Sequence, residues 1–130
     1  GTDVLYGTER VFLIEDDQRV RNFASDVLSS FGYTVTTAGN GLDAIAKIES
    51  AGRIDIIITD IIMSGMNGPD FIKHVRQTLP DVTVLFVSGY SANYISQKDI
   101  IDESKNFLQK PYSALSLGRK IRELLDKRKK

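Results

Sequence analysis

Ile54-Asp55-Ile56-Ile57-Ile58-Thr59-Asp60 is the stretch whose reading decides the fold. Its β-branched residues are too continuously apolar for an edge strand and suit a parallel strand covered on both faces. The run closes on an acid, Asp60. Outward from it, Val11-Phe12-Leu13-Ile14 closes on Glu15-Asp16-Asp17, Val82 to Val87 closes on Ser88, and Phe107-Leu108-Gln109 closes on Lys110-Pro111. As parallel strands of one sheet, these runs would bring their C-terminal ends to one edge, where open α/β sheets place their ligand sites. That edge would hold carboxylates, a hydroxyl and an amine within reach of one another.

Helical periodicity fills the intervals. Val20, Phe23, Ala24, Val27, Leu28 and Phe31 recur at helical spacing up to Gly32, a C-terminal stop. Tyr33 to Thr37 alternates as a short strand, Asn40-Gly41 marks a turn, and Leu42, Ile45, Ala46 and Ile48 form a stripe that stops near Gly52. Phe71, Ile72 and Val75 point inward on a helix ended by Pro80, residues 91–102 are weakly helical, and Leu115, Leu117, Ile121, Leu124 and Leu125 mark a last amphipathic helix. The expected fold is α/β: a single-domain, doubly wound (βα)5 parallel sheet with right-handed crossovers. Residues 10–127 would form that domain, 1–9 a lead or linker, and 128–130 a basic tail. The chain begins at Gly1 rather than Met, which suits a piece cut from a longer protein.

Bulk properties narrow the function. A length of 130 residues fits one core, and 42% hydrophobic with 26% charged residues is ordinary for a globular domain. Seventeen basic residues balance seventeen acidic ones, so no global field favours nucleic acid or an anionic membrane surface. With no cysteine there is no disulfide framework and no thiolate metal site, which fits a cytoplasmic setting. Apolar runs fall far short of the roughly 20 residues that span a bilayer. Neither a G-x-G-x-x-G turn nor a P-loop follows a strand, which excludes those nucleotide-binding modes.

The strand ends carry the chemistry. Clustered carboxylates repel one another and call for a counter-cation, and an all-oxygen donor set prefers Mg²⁺ or Mn²⁺. Asp60 is then a metal ligand or a nucleophile, since carboxylates attack phosphoryl groups to give acyl phosphates with the help of a divalent cation. Ser88 would donate to one phosphoryl oxygen and Lys110 would pair with another. Lys110-Pro111 is a candidate cis peptide. Each residue alone also has an ordinary reading: Asp16 or Asp17, and Asp17 above all, as a helix cap, Asp60 in a turn, Ser88 as structural, Lys110 as a solvated cation. The joint occurrence at successive strand ends, in this order, is what favours a site.

In that order and spacing, residues 10–127 resemble the receiver domains of two-component response regulators and hybrid histidine kinases. The resemblance implies a flavodoxin-like strand order, 2-1-3-4-5. It places the family's acidic pair on Glu15 and Asp16 and the phosphorylated aspartate on Asp60. Mg²⁺ (or Mn²⁺) would be held by Asp16, Asp60 and the backbone carbonyl of Ile62, with Glu15 acting through water. Ser88 matches the hydroxyl switch, Lys110 the family's lysine, Phe107 the aromatic switch and Gly68 the glycine after the phosphoacceptor loop. The implied partner is a histidine kinase domain or a histidine phosphotransfer protein, with a homodimer also possible and no direct nucleic-acid or membrane contact.

Several positions depart from the family pattern. Ser64 stands where proline is usual, and Met66-Asn67-Gly68 replaces Met-Asp-Gly. Ile62 is apolar and Tyr90 lies two residues after Ser88, both flanking the route of attacking water in the family. Residues 96–105 lack the usual Gly-Ala, and together with Phe86 to Tyr90 and Gln109 to Tyr112 they look more like the C-terminal receiver of a CckA-like hybrid histidine kinase than a free-standing chemotaxis protein. Two other classes stay open. A Mg²⁺-dependent aspartyl-phosphate hydrolase would need an acid/base aspartate two residues after Asp60, where Ile62 stands. A receiver-like module that takes no phosphoryl group would have no need of buried like charges. His74, the sole histidine, sits mid-helix without a kinase-type phosphorylation motif and is expected to be exposed.

Overall fold

Side chains alternate across each strand, so every central strand serves two cores at once. In the computed structural model, which describes residues 5–89 and 106–128, the elements run β1 (Arg10–Ile14), α1 (Gln18–Ser30), β2 (Thr34–Ala38), α2 (Gly41–Ile48), β3 (Ile56–Asp60), α3 (Gly68–Val75), β4 (Thr83–Ser88), β5 (Phe107–Gln109) and α4 (Ala114–Arg128). The strands are all parallel, in the order β2-β1-β3-β4-β5. This is the expected doubly wound α/β sheet. Four helices lie among the described residues; the weak helix expected over 91–102, and Tyr90, fall outside them.

Phe12, Ile14, Ile57, Val84 and Phe86 face Ala44 of α2 and Phe71, Ile72 and Val75 of α3. Val11, Leu13, Ile56, Ile58, Leu85 and Val87 face Ala24 and Leu28 of α1 and Leu117, Ile121 and Leu125 of α4 on the opposite side. At roughly 1.5–3 kcal/mol for each large side chain fully buried, these two layers are what hold the strand ends in register. β3 is buried along its whole length, which explains the unbroken apolar run that marks it in the sequence.

Capping sets where the helices begin. Asp17 accepts from the backbone N–H of Arg19 at 2.9 Å and of Val20 at 3.3 Å, as expected of a cap. Asn40 and Asn67 do the same for Asp43 and Asp70, each at 2.8 Å. Asn67 thus performs the capping that an aspartate would perform in the family's Met-Asp-Gly. α1 gives way at Gly32, whose φ of 102° suits glycine.

The structure corrects several details. α3 ends at Val75, not Pro80; Thr78 and Leu79 still donate to the Val75 carbonyl, at 3.0 and 2.8 Å, but as turns. α2 ends at Ile48, ahead of Gly52. Phe23 (44% exposed), Leu42 (68%) and Leu115 (44%) share the helical period yet stand outside the core. β3 starts at Ile56 because Asp55 is tied to other elements.

That tie is a buried ionic staple. The Asp55 carboxylate accepts from the Arg10 N–H at 2.8 Å, from Arg53 Nε at 3.2 Å and from Arg128 at 3.1 Å, so it fastens the end of α4 to the base of the sheet. Burial raises the Asp55 pKa, but the Arg10 N–H, Arg128 and Arg53 outweigh it and hold it below the usual value. A carboxyl depressed in the folded state contributes stability that is present above its unfolded pKa and lost as pH falls through the folded one. Asp55→Asn is therefore expected to cost about 1.5–3 kcal/mol at pH 7. In urea unfolding, the gap to the parent chain should close below about pH 4.

Candidate functional site

The C-terminal ends of β1, β3, β4 and β5 converge as expected. Glu15 follows β1 and is 1% exposed; Asp60 ends β3 at 2%; Ser88 ends β4 at 4%. Phe86 and Phe107 are opposite one another in the β4–β5 register, and Ser88 is opposite Gln109. The Lys110 N–H donates to the Ser88 carbonyl at 2.7 Å, which fixes the lysine beside β4. The Lys110–Pro111 peptide is cis.

Lys110 Nζ lies 2.7 Å from Asp60 Oδ1 and 3.0 Å from Glu15 Oε1. The other Glu15 oxygen accepts from the Asp17 N–H at 3.1 Å, and Asp60 Oδ2 from the Asp16 N–H at 3.4 Å. Carboxylate oxygens of Glu15, Asp16 and Asp60 all come within 4.8 Å of one another. Three carboxylates then face one ammonium, and two of the three are buried. Burial pushes the Asp60 carboxyl up to about 8, the adjacent Glu15 adds to the rise, and Lys110 opposes it. Burial works against the charge of Lys110, but its hydrogen bonds to Asp60 and Glu15 prevail and hold it above the ordinary lysine range.

This donor set fits a divalent cation. It is all oxygen, it carries an uncompensated negative charge, and one member, Asp16, is open to solvent. Ile62, whose carbonyl the resemblance assigns to the metal, keeps its side chain 58% exposed two residues beyond Asp60. The loop after β3 returns tightly: the Gly68 N–H donates to the Ile61 carbonyl at 2.8 Å, and a Cβ on Gly68 would overlap the Asp60 carbonyl oxygen. Only glycine allows that approach. Phe107 is 8% exposed and packs in the layer that holds Phe86, so in this structure its ring is inward. His74 is exposed on α3.

Other groups around the site carry no signal in the residue pattern. Arg21 reaches from α1 to the Glu15 carbonyl at 2.7 Å, and the Thr59 hydroxyl donates to the Asp60 carbonyl at 3.0 Å. Phe23 and Tyr112 approach with ring centroids 6.4 Å apart. No helix among the described residues is long and apolar enough to cross a membrane.

With this geometry in place, the chain can be set against known proteins. Residues 11–122 match the family described as "Response regulator receiver domain". The chain is 36% identical over 124 residues to the sensor kinase CckA of Brucella abortus, covering 95% of this chain and 13% of that kinase's length. It is 27% identical over 117 residues to the response regulator receiver protein CpdR of the same organism, covering 90% of this chain and 97% of CpdR. Among solved structures, the receiver domain from the hybrid histidine kinase CckA superposes with a TM-score of 0.73 at 34% identity, over 89% of this chain and 98% of that one. The chemotaxis response regulator CheY4 of Vibrio cholerae gives 0.81 at 28% identity, over 92% of this chain and all of the other.

Proposed function

The chain belongs to the response regulator receiver domain family of two-component signalling, and from that premise we propose that Asp60 is its phosphoacceptor. The observation that carries the reading is the single, partly buried ammonium of Lys110 held between two buried carboxylates at 2.7 and 3.0 Å, with a third carboxylate open to solvent. A purely structural pocket would gain nothing from such crowding, because buried like charges cost free energy unless they are neutralised.

Asp60 attacks the phosphorus of a phosphohistidine; a P–O bond to the carboxylate forms as the P–N bond breaks, and the imidazole nitrogen leaves with the electron pair. Lys110 turns its ammonium to one phosphoryl oxygen, and the Ser88 hydroxyl donates to another. Asp16, Asp60 and the Ile62 carbonyl would hold Mg²⁺, with Glu15 assisting, and the ion would neutralise charge on the phosphoryl oxygens. Ser88 and Phe107 then adjust, and the altered surface over β4, β5 and α4 is what a partner reads by differential affinity. Residues 10–127 constitute the receiver unit. The donor is a histidine kinase domain or a histidine phosphotransfer protein, and the likeness to CckA supports a setting within a hybrid kinase.

Intact mass spectrometry tests this directly. Incubation with Mg²⁺ and acetyl phosphate is expected to add one phosphoryl group that is lost in base, requires Mg²⁺ and is absent from Asp60→Ala. An adduct that persists in Asp60→Ala sinks the assignment. No adduct and no release of inorganic phosphate, even from a phosphohistidine donor, would leave an interaction module instead.

A further inference from the structure

The Tyr112 hydroxyl is the one buried side-chain polar atom among the described residues that has no hydrogen-bond partner. Leaving such a group unpaired is costly, and its persistence calls for a reason. A phenylalanine would fill the same ring space without that penalty. The ring packs beside Phe23, and with Asp17, Val20, Lys110 and Pro111 it lines a cavity of about 640 Å³ next to the acidic cluster. Burial, and then the negative charge of Glu15, hold the phenol up to about 12, so at neutral pH the oxygen carries its proton and is a donor.

The carboxylate whose charge acts on the phenol, Glu15, already accepts from other donors. Glu15 Oε1 accepts from Lys110 Nζ at 3.0 Å and Oε2 from the Asp17 N–H at 3.1 Å. We propose that Tyr112 is a positioning residue whose hydroxyl gains its partner, at Glu15 or at a water that Glu15 holds, only when a divalent cation takes over the charge that Lys110 balances in the free protein. This rests on the acidic cluster being a cation site, as in the reading above. Tyr112 touches neither the phosphoryl group nor the cation; it steadies Glu15.

The role predicts effects of opposite sign, which a merely structural tyrosine does not give. In EDTA, Tyr112→Phe is expected to melt about 3–6 °C higher than the parent chain, because an unpaired buried hydroxyl is gone. In calorimetric titration with MgCl₂, the same variant is expected to bind about tenfold more weakly, the scale seen when a group supporting a metal ligand is removed. A Mg²⁺ affinity within about twofold of the parent chain, or a melting point at or below it, overturns the proposal; so does a parent chain that binds no Mg²⁺. Acetyl phosphate labelling in parallel separates the two readings. A parent chain that binds Mg²⁺ but takes no phosphoryl group defeats the phosphoacceptor assignment and leaves Tyr112 to be judged by its titration. A labelled parent with an unaltered Tyr112→Phe titration defeats Tyr112 alone.

Discussion

Asp60→Asn is expected to make the metal-free protein more stable at pH 8 than its parent, even as it removes the phosphoacceptor. The Asp60 carboxyl rises from an ordinary 3.8 to about 8 on folding, chiefly through burial and then through Glu15. A carboxyl whose pKa is higher in the folded state binds its proton more tightly there, so stability falls as pH climbs from the unfolded value to the folded one. The slope approaches at most about 1.4 kcal/mol per pH unit inside that window. Between pH 5 and 8 the parent chain in EDTA should therefore lose stability steadily, while Asp60→Asn stays nearly flat and ends higher. Mg²⁺ should reverse the order at pH 8 by restoring the parent and leaving the variant unchanged. Chemical unfolding across this range, with and without Mg²⁺, checks it; a metal-free parent profile that is flat or rises between pH 5 and 8 would remove the physical basis for calling the cluster a cation site.

The same energetics explain what could be read from the residues. β3 was legible because a strand covered by helices on both faces must be apolar at every position, and Ile54 to Thr59 is nearly so. Asp60, Ser88 and Lys110 were legible because polar groups directly after such strands have few other places to go than the C-terminal edge. Exposure of Phe23, Leu42 and Leu115 was not, since helical period alone does not say which rim a neighbouring element covers. Nor were the end of α3 at Val75, the Arg21 contact to Glu15 or the lone Tyr112 hydroxyl. These depend on how side chains meet across elements far apart in sequence, and a single residue's type carries no mark of it.

Lys110→Met tests the other half of the charge balance and is expected to be among the most damaging substitutions in the chain. The Lys110 side chain is 23% exposed, whereas the side chains it pairs with are 1% exposed at Glu15 and 3% at Asp60. Methionine keeps most of the volume, so the loss is electrostatic: two buried carboxylates stand without a counter-charge. Removing one partner from a buried ionic cluster typically costs about 3–5 kcal/mol. In EDTA at pH 9 the melting temperature should fall by about 10–20 °C. The deficit should narrow as pH falls below about 8, where Asp60 takes up a proton and the pair needs less counter-charge. Mg²⁺ should recover more stability in Lys110→Met than in the parent, because the ion then supplies charge the lysine no longer does. Asp60→Asn should gain more stability in the Lys110→Met background than in the parent chain, a non-additive result that isolates the repulsion between Glu15 and Asp60. If Asp60→Asn instead gains the same stability in both backgrounds, Lys110 contributes packing rather than charge, and the cluster is not the strained, cation-seeking site that its geometry describes.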